Sequence, residues 1–106
     1  PMEQSPQTLT TATNDIILLV DDIPDNLRYL SFLLSQQGYD VRAAINGRMA
    51  LTVVKSTAPA LILLDILMPE MNGYEVCKRL KSDPQTCDIP IIFLSALDSI
   101  EDKVKA

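Results

Sequence analysis

A chain of 106 residues with a formal net charge of −5 is long enough for one domain and too acidic for a module that neutralises nucleic-acid phosphates. Hydrophobic residues make up 47%, which excludes disorder over most of the length. No apolar run approaches the roughly 20 residues that span a bilayer, so no transmembrane helix is expected, and no signal peptide is expected ahead of the first apolar segment.

Residues 1–14 (PMEQSPQTLTTATN) carry few apolar side chains and read as a flexible lead-in, with Pro1 before Met2 as a processing remnant. The domain is expected to run from Asp15 to Ala106. Its first element is the continuous apolar run Ile16-Ile17-Leu18-Leu19-Val20, suited to a strand covered on both faces. Pro24 then fits a first helical turn, Leu27, Leu30 and Leu34 recur at helical spacing, and Gly38 closes the helix as a left-handed residue.

Tyr39 to Ala44 predicts a short second strand. Asn46 to Ser56 predicts a second helix with Ala50, Leu51 and Val54 on one face. Ala60-Leu61-Ile62-Leu63-Leu64 is a third strand, again without polar residues. Asn72 caps the next helix, Glu75 completes a capping-box pattern, and Val76, Cys77 and Leu80 form the buried stripe. Pro90 opens a fourth strand, Ile91-Ile92-Phe93-Leu94, and Asp98 with Glu101 starts one more helix. Alternation of this kind with short connections predicts an α/β layer fold, a parallel sheet with helices on both faces.

Cysteine and histidine narrow the chemistry. Cys77 and Cys87 form no C-x-x-C pair and read as reduced thiols, Cys77 as core. With 0 histidines, imidazole zinc sites, Ser-His-Asp triads and Cys-His nucleophiles are excluded, so any metal must be held by oxygen.

The informative residues fall at the carboxyl ends of the strands. Asp21 and Asp22 follow the first strand, Asp65 the third, and Ser95 and Ala96 the fourth. In an open parallel sheet that edge binds ligands where the strand order reverses. If the first and third strands are neighbours, three carboxylates converge, and two of them 4 Å apart repel by roughly 4 kcal/mol at an effective dielectric of 20. A divalent cation relieves this, with magnesium favoured by a few carboxylates plus water. The same cation can neutralise a phosphoryl group beside a nucleophilic carboxylate. The Ser95 hydroxyl can then bond a phosphoryl oxygen, and the small Ala96 leaves room for it. Singly, each of these residues is ordinary loop or cap chemistry; together they suggest an acyl phosphate formed on an aspartate.

The segments ILLVDDIPDNL, LILLDILMPEMNGYEVCKRLK with its D-x-x-M-P-x-x-x-G core, and IPIIFLSA resemble the receiver domains of bacterial response regulators and hybrid sensor kinases. The resemblance runs from about Ile16 to Ala106. It implies a flavodoxin-like doubly wound sheet of order 2-1-3-4 with the fifth strand missing. It also implies a role for each site residue. Asp65 matches the phosphoacceptor, Asp22 a direct magnesium ligand, Asp21 its orienting neighbour, and the Leu67 backbone carbonyl a third protein ligand. Ser95 matches the hydroxyl that moves toward the phosphoryl group, and Ala96 the small residue lining access. The implied cofactor is Mg2+, and the implied partner is a sensor histidine kinase or phosphotransfer protein.

The family continues with a fifth strand bearing an aromatic switch residue and with a phosphate-binding lysine; Lys103 and Lys105 do not match that lysine. The chain is therefore expected to be a receiver cut short, with the fourth strand as an unprotected apolar edge that drives homo-oligomer formation. Two readings follow: a phosphoacceptor module, whose own catalysis is left open, or a switch-defective module for self-association and protein interaction. A haloacid-dehalogenase-type phosphatase is rejected, because Leu67 stands where that class has its second acid. Leu67 and Leu97 are both apolar, so neither can position an attacking water, and slow loss of phosphate is expected. A cytoplasmic chain touching neither nucleic acid nor membrane is expected.

Overall fold

The computed structural model describes residues 15–94. Seven elements alternate along them: β1 (Ile16–Val20), α1 (Pro24–Gln36), β2 (Asp40–Ala44), α2 (Gly47–Thr57), β3 (Leu61–Leu64), α3 (Gly73–Lys81) and β4 (Ile91–Phe93). The strands form one parallel sheet in the order β2-β1-β3-β4. The order that the resemblance implies is the order found. The expected fourth helix from Asp98 and the lead-in 1–14 lie outside the described residues.

Strand alternation divides the core into two layers. Leu18, Val20, Ala44, Ile62 and Leu64 pack against Ala50 and Val54 of α2 and Val76 and Leu80 of α3. Ile17 and Leu19, with Leu61, Leu63 and Val41, meet Leu27, Leu30 and Leu34 of α1 on the other face. β1 lies between two neighbours and is covered on both sides, which is why its sequence is apolar at every position. Leu18, Leu19, Ile62 and Leu64 are among the largest fully buried side chains. Each such side chain contributes about 1.5–3 kcal/mol over leaving it exposed.

The ends of the elements show local physics. α1 closes with a Schellman motif: Gly38 (φ +94°) donates its N–H to Ser35 O at 3.0 Å and Tyr39 donates to Leu34 O at 3.3 Å. Tyr39 therefore belongs to the cap, and the second strand begins one residue later than the sequence suggested. Asn46 caps α2, accepting from Met49 N at 2.8 Å, and Asn72 caps α3, accepting from Glu75 N at 3.0 Å. The carboxylate of Glu75 lies 3.6 Å from Arg79, one turn further along α3.

Register brings the strand ends to one edge. Val20 pairs with both Ala44 and Leu64, and Leu64 pairs with Phe93. The ladder then runs on past the strands: Asp21 N donates to Ala44 O (3.1 Å), Asp65 N to Val20 O (2.8 Å) and Leu94 N to Leu64 O (2.9 Å). Chain direction reverses its lateral course at β1, so the crevice of the topological switch point opens between β1 and β3.

Candidate metal and acceptor site

Asp21 and Asp65 are the first residues past adjacent strands, each held by the backbone bond just described. Both are nearly buried, at 4% and 6% exposure, and Asp22 is half-buried beside them. One carboxylate oxygen from each of the three lies within 4.8 Å of the others. At that spacing two charges repel by about 3–4 kcal/mol at an effective dielectric of 20. The consequence falls on Asp65, whose carboxyl is pushed up to about 7, first by burial, then by the charge and hydrogen bond of Asp21 and the charge of Asp22. The backbone N–H of Leu67 works the other way by donating to the Asp65 carboxylate.

Asp21 does not float in this cluster. Its Oδ1 accepts from Ile23 N at 3.0 Å, an Asx turn that leads into α1, and its Oδ2 accepts from Asn26 Nδ2 at 3.1 Å. Ile23 has no side chain with which to cap α1, and Pro24 in the first turn needs no N–H partner, so the turn closes around Asp21.

The loop after Asp65 explains the D-x-x-M-P-x-x-x-G pattern physically. Met68 folds back into the core at 7% exposure, and its N–H donates to Ile66 O at 3.2 Å. Glu70 adopts a left-handed backbone (φ 69°) after Pro69, and Met71 N donates to Pro69 O at 2.8 Å. Gly73 N then donates to Ile66 O at 2.8 Å, closing the first turn of α3 onto the chain just past β3.

Of the residues singled out from the sequence, Asp21, Asp22 and Asp65 are brought together. Leu67 stands beside them with its side chain outward, and Ser95 and Ala96, the two residues after Leu94, lie outside the described residues. Sequence reasoning missed Asn26, since an Asn in a first helical turn carries no mark of what it bonds. Cys77 packs against the core, as its helical position suggested.

The donor set suits a hard cation: three carboxylates, no histidine, and a charge surplus that raises one carboxyl toward neutrality in the cation's absence. A parallel sheet of this order with acids at its switch point defines a small class of signalling domains. Over residues 17–106 the chain matches the response regulator receiver domain, and it belongs to that family, the phosphoacceptor modules of two-component systems. It is 43% identical over 89 residues to the response regulator PleD of Caulobacter vibrioides, covering 84% of this chain and 20% of that protein. It is 46% identical over 87 residues to a probable cyclic di-GMP phosphodiesterase of Vibrio cholerae, covering 82% and 20%. The chain thus spans about a fifth of the length of these relatives. Among solved structures, the N-terminal domain of a response regulator receiver protein from Methanoculleus marisnigri superposes with a TM-score of 0.73. That match has 40% identity and covers 74% of this chain and 63% of that one. Among the described residues no helix is long and apolar enough to cross a membrane.

Proposed function

We propose that Asp65 is the residue that takes the phosphoryl group, from a phosphohistidine on a sensor kinase or phosphotransfer protein in the cytoplasm. A carboxylate oxygen of Asp65 attacks the phosphorus, the P–O bond forms as the P–N bond breaks, and the imidazole leaves, taking up a proton. Hydrolysis of the acyl phosphate then returns the carboxylate. Asp22, Asp65 and the Leu67 carbonyl would hold Mg2+, with Asp21 orienting the set; bound there, the cation neutralises charge on the transferring phosphoryl group. Ser95 would hydrogen-bond a phosphoryl oxygen, and Ala96 would leave the approach open.

The observation that carries this reading is the convergence of three acids at the switch point, with the Asp65 carboxyl buried among them and pushed up to about 7. The test is incubation with a small phosphodonor and Mg2+, followed by intact mass. A gain of one phosphoryl group that is labile to hydroxylamine and lost in Asp65→Asn is expected; phosphate retained in that variant overturns the assignment.

A second reading, association through the sheet, is favoured by one observation. Ile92 on β4 is 52% exposed, on the same face as the half-buried Leu61 and Leu63. An apolar patch of that kind on a strand that is outermost among the described residues suits a second copy or a partner protein.

A further inference from the structure

We infer that Asn26 is a positioning residue for the cation site, fixing the plane of the Asp21 carboxylate so that the three acids present one preformed donor set. The inference rests on the cation reading above.

A carboxylate crowded by two others, even with Asp65 hydrogen-bonded to it, will turn toward water unless its soft terminal torsion is held. Asp21 is held at both oxygens. The Ile23 N–H at 3.0 Å is a backbone donor and fixes Oδ1. That single bond leaves the carboxylate plane free to swing about it. The Asn26 amide at 3.1 Å takes Oδ2 and removes that freedom. Asn26 can do so because its own N–H is committed to Ile23 O at 3.1 Å, which sets the first turn of α1 beneath Asp21.

The chemistry of the donor matters as much as its place. A lysine there would supply a donor but also cancel the charge that attracts a cation, and an aspartate would add to the repulsion. An amide donates without charge, so the cluster keeps its negative surplus. Its neighbour Asp25 is exposed and paired outward with Arg28, so of these two side chains it is that of Asn26 that reaches the acids.

The test is calorimetric titration of Mg2+ into the folded chain. Loss of a partner that orients a ligand lowers metal affinity by about 10-fold or more, and Asn26→Ala is expected to show this with an unchanged circular dichroism spectrum. Asn26→Gln, which keeps a neutral donor, is expected to recover most of the loss. A purely structural role would move unfolding without moving affinity measured on the folded state. Affinity for Asn26→Ala equal to the parent overturns the inference, as does Asn26→Gln binding as weakly as Asn26→Ala. Should Asn26→Ala not fold, the parent decides: its Asn26 side-chain amide resonances are expected to shift on Mg2+ saturation, and resonances that stay put overturn it. A parent chain that binds no Mg2+ fails in the first titration and overturns the cation reading itself.

Discussion

A methyl group at position 73 would lie 2.3 Å from the carbonyl oxygen of Asp65 and 2.8 Å from Cα of Ile66, so the first turn of α3 rests on the backbone that carries the candidate acceptor. No side chain fits between them. The requirement is tertiary: residue 73 begins a helix and makes its close contact with a strand end eight positions earlier in the chain.

Gly73→Ala is therefore expected to destabilise the domain although alanine is the better helix former. The helix gain is about 1 kcal/mol. Overpacking against backbone costs about 1–3 kcal/mol and here more, since neither side is a flexible side-chain end. The urea midpoint should fall. Gly38→Ala is the informative comparison, because nothing lies within 4 Å of its site and only the positive φ opposes it. Its cost should stay near 1 kcal/mol and leave Mg2+ binding unchanged. A raised midpoint in Gly73→Ala would mean α3 can lift off the acceptor strand at no cost.

The Asp65 carboxyl sets a pH dependence whose sign is opposite to that of an ordinary paired carboxylate. Its folded value is about 7 against 3.8 for an unperturbed aspartate, so between those values the folded chain binds more protons than the unfolded one. Its contribution to stability is then fully present below about pH 4 and is lost as pH rises to 7. The slope approaches 1.4 kcal/mol per pH unit at most, about the free energy of one pKa unit. In EDTA, the stability of the parent relative to Asp65→Asn should decline across this range and level off above it. The proton must leave for a cation to bind, so apparent Mg2+ affinity should rise through the same range. A flat difference between the two chains would show that Asp65 is ionised throughout.

The strands were legible because parallel strands covered on both faces leave unbroken apolar runs, as in Ile16–Val20 and Leu61–Leu64, while their order came only from the resemblance to receiver domains. The acids were legible for the same reason, since each run ends directly on an aspartate. Boundaries slipped where a backbone bond outranked side-chain pattern: Tyr39 looks like strand but closes the α1 cap, and Ala60 donates to Ile16 O ahead of the pairing that begins at Leu61. The Asn26 amide and the Leu67 N–H were not legible. Their roles depend on which way a short turn points, and no spacing encodes that.

The connection between α3 and β4 is held by polar contacts rather than by packing. Thr86 is buried at 3% and donates Oγ1 to Leu80 O at 2.6 Å, while Lys81 Nζ donates to Cys87 O (3.0 Å) and Ile89 O (2.8 Å). Thr86→Val keeps the shape and removes the hydroxyl, with an expected loss of about 1 kcal/mol. Lys81→Met should cost less in stability, because the Cys87 and Ile89 carbonyls it leaves without a donor sit at an exposed contact and can take water instead. It should, however, speed amide exchange at Cys87 to Ile91. Unchanged exchange there would mean that the loop is fixed by Thr86 alone.

β4 offers the clearest separation of the two functional readings. Ile92 is 52% exposed on the α1 side of the sheet, while Ile91 and Phe93 turn toward the α2–α3 core, where the Phe93 ring lies 5.2 Å from that of Tyr74. Ile92→Thr keeps the β-branch and takes little from the core, so the unfolding midpoint should shift by no more than about 0.5 kcal/mol. If the patch seats a second copy, light scattering should show the parent mass rising with concentration and the variant remaining monomeric. A parent that stays monomeric would remove self-association as a function of this face. A variant that associates as the parent does would place the contact elsewhere. Phosphoryl transfer to Asp65 should be indifferent to the change, since Ile92 lies level with Leu63, two residues before Asp65 along the strands.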